Sequence, residues 1–278
     1  MRASLVIPTL NESASIGHVL SSFREASSQA NPLLFASDPL DWEMLVVDGA
    51  STDGTGEIAE REGARVIVER RKGYGRAYRT GFAEAKGEFV ATLDGDATYP
   101  VDQVPLLVRR LIDRNLDFIT CNRLAYLDPK AMTREHRIGN WVLNTFLGIA
   151  FAHFLKGATS GGLKDSQSGM WLFRRRILND LKLTQDGMPF SEELKIEVLL
   201  RGFRFEEVPI HYAERWGAPK LSSWRDGRRN LLFLFEKRLA VAREQKIFGP
   251  LLAAERSEPS ARSGPRRTTG SCPSARAT

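Results

Sequence analysis

The chain has 278 residues, of which 42% are hydrophobic and 27% charged, and its formal net charge is +6. This composition is typical of a globular protein with a buried core and excludes a low-complexity or fibrous chain. Two distant cysteines, Cys121 and Cys272, exclude a disulfide framework and favour a reducing compartment. The longest strongly apolar stretch, Trp141–Leu155, is interrupted by polar residues and is shorter than the roughly 20 residues that a membrane-spanning helix needs.

Short apolar runs alternate with helical patterns through the first half of the chain. The predicted strands are Ser4–Pro8, Met44–Asp48, Arg65–Glu69, Phe89–Asp94 and Phe118–Asn122. The predicted helices are Glu12–Ser27, Gly54–Glu62, Tyr74–Ala85 and Val101–Arg114. This alternation predicts an α/β fold with an open, largely parallel sheet covered on both faces. The proline-containing stretch Ser28–Asp41 is predicted to be a surface loop.

The second half has a less regular pattern. Its predicted elements are a helix at Arg134–Leu155, a glycine-rich turn at Gly157–Gly162, a strand at Gly169–Phe173, a helix at Ser191–Arg201, a strand at Glu207–Tyr212 and a long helix at Trp224–Lys246. We expect one domain over residues 1–250. Residues 253–278 are rich in Ser, Pro, Arg, Gly and Thr, which predicts a disordered tail.

Acidic residues follow three of the predicted strands. Glu12 lies after the first strand, Asp48 ends the second, and Asp94-Gly95-Asp96 ends the fourth. Ligands of open α/β sheets bind at the carboxyl ends of strands, and Mg²⁺ or Mn²⁺ favours carboxylates together with phosphate oxygens. The sequence therefore predicts a metal site at Asp94 and Asp96. The structural alternatives are a loop or helix cap at Asp48 and a solvated acidic turn at Asp94–Asp96.

Three longer motifs surround these acids: Val6-Ile7-Pro8-Thr9-Leu10-Asn11-Glu12, Val46-Val47-Asp48-Gly49-Ala50-Ser51-Thr52-Asp53-Gly54-Thr55 and Leu93-Asp94-Gly95-Asp96. Together they resemble the motifs of family 2 glycosyltransferases of the GT-A fold. Further segments of the chain are similar to motifs of one subgroup, the polyprenyl-phosphate sugar synthases of the dolichyl-phosphate type. These segments are Asp165–Arg174, Val208-Pro209-Ile210, Arg215 and Lys220-Leu221-Ser222. The resemblance implies a Rossmann-like, mostly parallel sheet with a C-terminal acceptor-side helical region. It also implies a nucleotide-sugar-binding half, 1–123, and an acceptor- or membrane-facing half, 124–250.

The resemblance also implies roles for individual residues. Donor-binding residues would be Pro8, Leu10, Glu12, Val46, Asp48, Asp94, Gly95 and Arg123. Asp94, Asp96 and Thr98 would bind Mg²⁺ or Mn²⁺, with Thr98 standing where relatives often have Gln or Ser. Catalytic roles would belong to Asp96, Arg215 and Lys220. Acceptor-binding residues would be Arg137, Asp165, Gln167, Ser168, Glu193 and Ser222.

The implied reaction is metal-dependent, inverting transfer of a sugar from GDP-mannose, UDP-glucose or UDP-N-acetylglucosamine to a polyprenyl (dolichyl or undecaprenyl) phosphate. Such a phosphate is largely dianionic at neutral pH, so no general base is required. One alternative is transfer to a sugar hydroxyl, with Asp165 or Glu193 as the base. Another is a basic nucleic-acid-binding protein, although many basic residues lie in the tail or beside acids, so we expect no nucleic-acid partner.

A lipid acceptor predicts a protein that is cytoplasmic and peripheral at the inner face of the membrane. The apolar stretches Trp141–Leu147 and Leu231–Phe235 have basic neighbours, as interfacial helices do. Alternatively, both stretches pack on the sheet or form the interface of a homo-oligomer.

Overall fold

The computed structural model describes residues 1–158, 162–217 and 223–257. By their contacts the residues divide into two units, Met1–Glu236 and Lys237–Thr278, so the first unit ends before residue 250. The sheet and the predicted site residues up to Arg215 all lie in the first unit. The predicted site residues Lys220 and Ser222 lie outside the described residues.

The first half contains the predicted alternation of strands and helices. Its strands are β1 (Arg2–Thr9), β2 (Asp41–Asp48), β3 (Arg65–Val68), β4 (Phe89–Thr92) and β5 (Phe118–Leu127). Its helices are α1 (Ile16–Leu34), α2 (Thr55–Arg61), α3 (Tyr74–Glu84) and α4 (Gln103–Asp113).

The predicted loop Ser28–Asp41 is wrong over its first half, because α1 continues to Leu34. Pro32 lies in the last turn of α1, where its missing N–H costs the helix only one bond near its end. The side chain of Asn31 then exchanges two hydrogen bonds with the backbone of Leu40, at 2.9 and 3.0 Å, and so fixes the end of the helix against the approach to β2.

The second half completes the sheet and adds helices. Its elements are α5 (Arg134–Ala150), α6 (Ala152–Ala158), β6 (Trp171–Arg174), α7 (Phe190–Leu200), β7 (Phe205–Tyr212) and α8 (Ser223–Ser257), with a short 3₁₀ helix at Arg175–Asn179. The single helix predicted over Arg134–Leu155 is interrupted at Phe151, whose side chain is buried. Ala253–Ser257, expected in the disordered tail, belongs to α8, and residues 258–278 lie outside the described residues.

One mixed sheet has the strand order β3-β2-β1-β4-β6-β5-β7. Only β6 runs antiparallel to its neighbours β4 and β5; every other described pair is parallel. The mostly parallel α/β sheet predicted from the sequence is thus confirmed. Because β6 is reversed, the loop before it reaches the same sheet edge as the carboxyl end of β4.

Helices cover both faces of the sheet. On one face α1 and α4 pack on an aliphatic cluster that includes Leu5, Ile7 and Leu172. On the other face α3 approaches so closely that a Cβ at Gly81 would collide with Val6. Aromatic rings from α3, β6 and α7, among them Tyr78 and Phe190, fill this second face. The predicted acids Glu12, Asp48, Asp94 and Asp96 end or follow strands at the carboxyl edge between the two layers.

Candidate active site

The carboxyl ends of β1, β2 and β4 form an acid edge, defined by Glu12, Asp48, Asp94 and Asp96. Just beyond the three strands, Asn11, Ala50 and Ala97 adopt left-handed backbone conformations with φ of 54°, 60° and 64°. Residues with a Cβ rarely adopt this conformation, and such strain gathers at functional sites. The edge is therefore built of tight turns that present acids at a single end of the sheet.

Asp48 is held by its own turn. Its carboxylate accepts bonds from the backbone N–H of Ser51, at 3.2 Å, and from the Ser51 hydroxyl. Asp53 accepts from the backbone and hydroxyl of Thr55, at 3.1 and 2.5 Å, and from the Ser13 N–H at 3.0 Å. The turn alternative thus describes the contacts made within this segment, whereas α2 has Gly54 at its N-cap position without a side-chain capping bond. The nucleoside role of Asp48 stays a prediction.

Asp94 and Asp96 lie close enough to influence each other's charge. Loss of hydration and the neighbouring negative charge of Asp96 together raise the pKa of Asp94 to about 7, against the opposing effect of Arg123. The Tyr78 hydroxyl donates to Asp94 Oδ1 at 3.3 Å. Thr98 donates to Asp96 Oδ1 from its hydroxyl at 2.6 Å and from its N–H at 3.2 Å. In this arrangement Thr98 positions Asp96.

A cation of the protein rests against this acid edge. Arg215 Nη1 lies 3.2 Å from Asp96 Oδ2, and Arg215 Nη2 donates to Glu12 Oε1. The backbone around it is also attached, since Trp216 N donates to Asp96 O at 3.1 Å and Ala213 N to Thr98 O at 3.0 Å. The ring of Trp216 stacks on His18 at 4.7 Å. The segment after β7 thereby places its predicted catalytic arginine on the predicted metal-binding aspartate.

The loop before β6, residues 164–170, forms the other side of the site. Arg123 donates three bonds to Asp165, from N, Nε and Nη2, at 2.9, 2.8 and 2.9 Å. Asp165 is completely buried, and although burial raises its pKa, the attraction of Arg123 keeps the pKa below the usual value. The two residues therefore bind each other, and the roles of Arg123 at the donor phosphates and of Asp165 as a base or acceptor ligand stay predictions.

The other predicted acceptor residues lie in different environments. Gln167 donates to Glu192 at 2.5 Å and accepts from Asn230 Nδ2 at 2.7 Å, and Ser168 is buried beside it. Glu193 is not brought together with this loop: it accepts bonds from Thr184 and from the Gln185 N–H at 2.7 to 2.9 Å.

The remaining predicted residues also fall into distinct positions. Arg137 is exposed on the first turns of α5. Val46 is completely buried in the core, and its donor contact stays a prediction. Leu10 is exposed, Pro8 is partly exposed, and Gly95 packs so close to Thr9 that a Cβ would lie 2.8 Å from Thr9 Cγ2.

Sequence reasoning missed the buried polar residues that support the site. Tyr99 accepts a bond from the Gly169 N–H at 2.7 Å, and Lys195 and Glu192 are wholly buried in α7. Every residue of α7 from Phe190 to Leu199 is buried, so α7 has no solvent face. The charged residues at the centre of this helix could have indicated a supporting role, because a buried charge requires specific partners.

Residues 4–182 match Glycosyl transferase family 2. The chain is 35% identical over 228 residues to a dolichyl-phosphate hexose transferase of Haloferax volcanii, covering 81% of this chain and 88% of that protein. It is 31% identical over 233 residues to the low-salt glycan biosynthesis hexosyltransferase Agl6 of the same organism, covering 83% of this chain but 52% of Agl6. This chain thus spans about half the length of Agl6.

The fold is shared with solved structures. Glucosyl-3-phosphoglycerate synthase from Mycobacterium tuberculosis, in complex with Mn²⁺, uridine diphosphate and glucosyl-3-phosphoglycerate, superposes with a TM-score of 0.61 at 22% identity, covering 85% of this chain and 79% of that one. The sheet and its helices have the GT-A fold of these structures. The chain belongs to Glycosyl transferase family 2.

Proposed function

We propose that this enzyme transfers a hexose from a nucleoside-diphosphate sugar to a polyprenyl phosphate, with inversion at the anomeric carbon. The observation that carries the proposal is the engagement of both acids that could have served as a base. Asp165 is bound by Arg123, and Glu193 by the Thr184–Gln185 backbone and hydroxyl. A hydroxyl acceptor needs a base, whereas a phosphate monoester with a second pKa of about 6 is already a dianion at neutral pH.

The acid edge fits Mg²⁺ or Mn²⁺. Asp94 and Asp96 supply the hard carboxylate oxygens that these ions prefer, and their mutual repulsion favours a cation between them. Within residues 1–158, 162–217 and 223–257, no three His, Cys, Asp or Glu side chains gather as a metal site. We therefore assign the remaining ligand positions to diphosphate oxygens and water. When bound, the ion would neutralise charge on the departing nucleoside diphosphate.

The other residues of the site position the two substrates. Asp48 and Glu12 would hold the nucleoside at the ends of β2 and β1, as the resemblance implies. Arg215, which lies between Glu12 and Asp96, has a planar guanidinium suited to phosphate oxygens. We assign it to the phosphates that meet in the reaction, where fixed positive charge favours the transition state. The relative named for dolichyl-phosphate hexose transfer supports a lipid phosphate as the acceptor.

The acceptor lipid requires contact with a membrane surface. Trp141 is 66% exposed and Ile138 63% exposed on α5, while Leu143 and Leu147 of the same helix are buried. The predicted stretch Trp141–Leu147 is thus divided between core and surface. Among the described residues, no helix has the length and apolarity to cross a bilayer. We propose that the exposed face of α5 rests at the lipid interface, where aromatic and basic residues are favourable.

The direct test supplies a purified polyprenyl phosphate and, separately, the free polyprenol and a soluble sugar acceptor. Each acceptor is combined with labelled GDP-mannose, UDP-glucose or UDP-N-acetylglucosamine and Mn²⁺. We expect labelled lipid only with the phosphate, at a rate that Glu193→Gln leaves within about threefold, because no base is needed. Transfer to a hydroxyl acceptor but not to the phosphate lipid would overturn the proposal in favour of the hydroxyl-transfer alternative.

A further inference from the structure

Lys195 occupies a position where a lysine is costly. It lies at the centre of α7 and is completely buried, although transfer of an ammonium from water to a protein interior is strongly unfavourable without compensation. Burial lowers the pKa of Lys195, and with the negative charge of Asp165 acting in opposition the pKa is about 8. A cation kept at this position must make contacts that compensate for its lost hydration.

Those contacts are three backbone carbonyls of one loop. Lys195 Nζ donates to Asp165 O at 2.9 Å, to Ser166 O at 2.8 Å and to Ser168 O at 3.0 Å. An ammonium has three donors, so its hydrogen-bonding capacity is filled by this loop alone. Three carbonyl dipoles that converge on one point repel each other. The ammonium between them offsets this repulsion because it attracts all three oxygens, as a bound metal ion would.

The same loop borders the acid edge. Gly169 follows the third carbonyl directly, and its N–H donates to Tyr99 while its carbonyl accepts from Thr92 Oγ1 at 2.7 Å. A Cβ at Gly169 would lie 3.3 and 3.4 Å from the two carboxylate oxygens of Asp94. The backbone that Lys195 holds therefore sets the space beside Asp94 on the side facing α7.

We propose that Lys195 is a positioning residue that shapes the 164–170 loop into the wall of the acceptor site. It acts through the loop backbone and does not touch the substrate. The proposal rests on the proposed function for the identity of the acceptor, whereas the shaping of the loop can be measured without any substrate.

The test compares Lys195→Met, which keeps the length and apolar stem but removes all three donors, with Lys195→Gln, which keeps two donors on a shorter side chain. Glu197→Gln on the same helix is the control, since Glu197 is buried but contacts the Lys182 N–H and Arg201. In the full chain, we expect Lys195→Met to raise the KM for polyprenyl phosphate roughly tenfold or more, with Lys195→Gln intermediate. The KM for the nucleotide sugar should rise less than the KM for polyprenyl phosphate, since Asp94 borders the loop but Glu12 and Asp48 lie on other strands.

Amide hydrogen exchange without substrate provides the second measurement. We expect faster exchange at the Gly169 and Trp171 amides in Lys195→Met, and no change there in Glu197→Gln. An equal rise in KM for the nucleotide sugar and for the polyprenyl phosphate would overturn the positioning role. Unchanged amide exchange in the loop of a folded Lys195→Met protein would overturn it as well. If Lys195→Met does not fold, the same two measurements on Lys195→Gln decide: the changes in KM for the two substrates and the amide exchange of the loop. If the wild-type enzyme transfers nothing to a phosphate lipid while exchange responds as expected, the proposed acceptor fails and the shaping of the loop stands.

Discussion

The acid edge and the 164–170 loop face each other across the site but are constructed by different means. The acid edge is made of short turns whose polar groups bond within the turn or to the next strand end, as Asp48 does with Ser51 and Asp96 with Thr98. The 164–170 loop is held by long-range contacts from Arg123, Tyr99 and Lys195, which lie on three other segments. One side is thus defined locally and the other by the assembled fold.

This difference separates the expected consequences of mutation. Removal of a charge from the acid edge should affect ligand binding and chemistry while the fold persists, because few other residues depend on that charge. Changes around the loop should affect both stability and activity, since buried polar groups there are satisfied by one another. The following predictions test that separation, in order of decreasing effect.

Asp96→Asn should nearly abolish turnover, by on the order of a thousandfold or more, because it removes a predicted metal ligand and the partner of Arg215. The melting temperature should stay close to that of the wild type. Asp102→Asn, at an exposed aspartate beyond the same strand, is the matched control and should retain full activity. Substantial turnover by Asp96→Asn, or unimpaired wild-type turnover in EDTA, would remove the metal assignment.

Arg215→Ala should lower kcat/KM about ten- to a hundredfold, since a charge-assisted contact to phosphate is typically worth about 1.5–3 kcal/mol. Steady-state kinetics with the phosphate lipid measure this directly. Arg61→Ala removes the same charge at the exposed far end of α2 and should leave kcat/KM unchanged. An equal loss in both variants would assign the effect to net charge and not to the contact with the acid edge.

Gly169→Ala tests the junction of the two regions. The added Cβ would collide with Tyr74 Oη and press on Asp94, so we expect a loss of about 1–3 kcal/mol in the free energy of unfolding, together with weaker Mn²⁺ binding. Gly139→Ala in α5 is the control, where a Cβ would meet nothing within 4 Å and should stabilise the helix by about 0.5–1 kcal/mol. Chemical denaturation and titration with Mn²⁺ measure both effects. Similar stability changes in the two glycine variants would contradict the close packing at Asp94.

Glu192→Gln should stabilise the protein by about 1 kcal/mol at pH 7 to 8. Burial raises the pKa of Glu192 well above its usual value of 4.5, so the folded state binds a proton that the unfolded state has lost. Stability due to this group is therefore present below pH 4.5 and declines as the pH rises toward the folded-state pKa. The advantage of the glutamine variant should grow from pH 5 to pH 8 in thermal unfolding. Exposed Glu60→Gln should show no such trend, and a trend of the opposite sign would exclude a protonated Glu192.

The sequence predicted the acid edge because its information is local. Asp94, Asp96 and Asp48 directly follow apolar runs, and the period and length of those runs predict strands whose ends share one edge. The wider architecture followed from the same alternation. The length of α1 did not, because the hydrogen bonds that fix its end join Asn31 and Leu40, two residues nine positions apart within the predicted loop.

The acceptor side could not be predicted to the same depth. Nothing near Arg123 or Asp165 in the sequence indicates that the two side chains satisfy each other across 42 residues. Each has the residue type and position of a ligand-binding group, and only the assembled sheet shows that they are engaged. The complete burial of Val46 could not be predicted from its motif either, since only the last residues of that motif reach the edge.

The reversed direction of β6 bears on how such enzymes diversify. Parallel strands deliver to the active edge only the loops that follow them, and these loops already carry the donor-side acids. An antiparallel strand delivers the loop that precedes it, so a second, separately encoded segment enters the site beside Asp94. Substitutions and insertions before β6 can therefore change this side of the site during evolution without changing the turns that carry the predicted donor-binding acids.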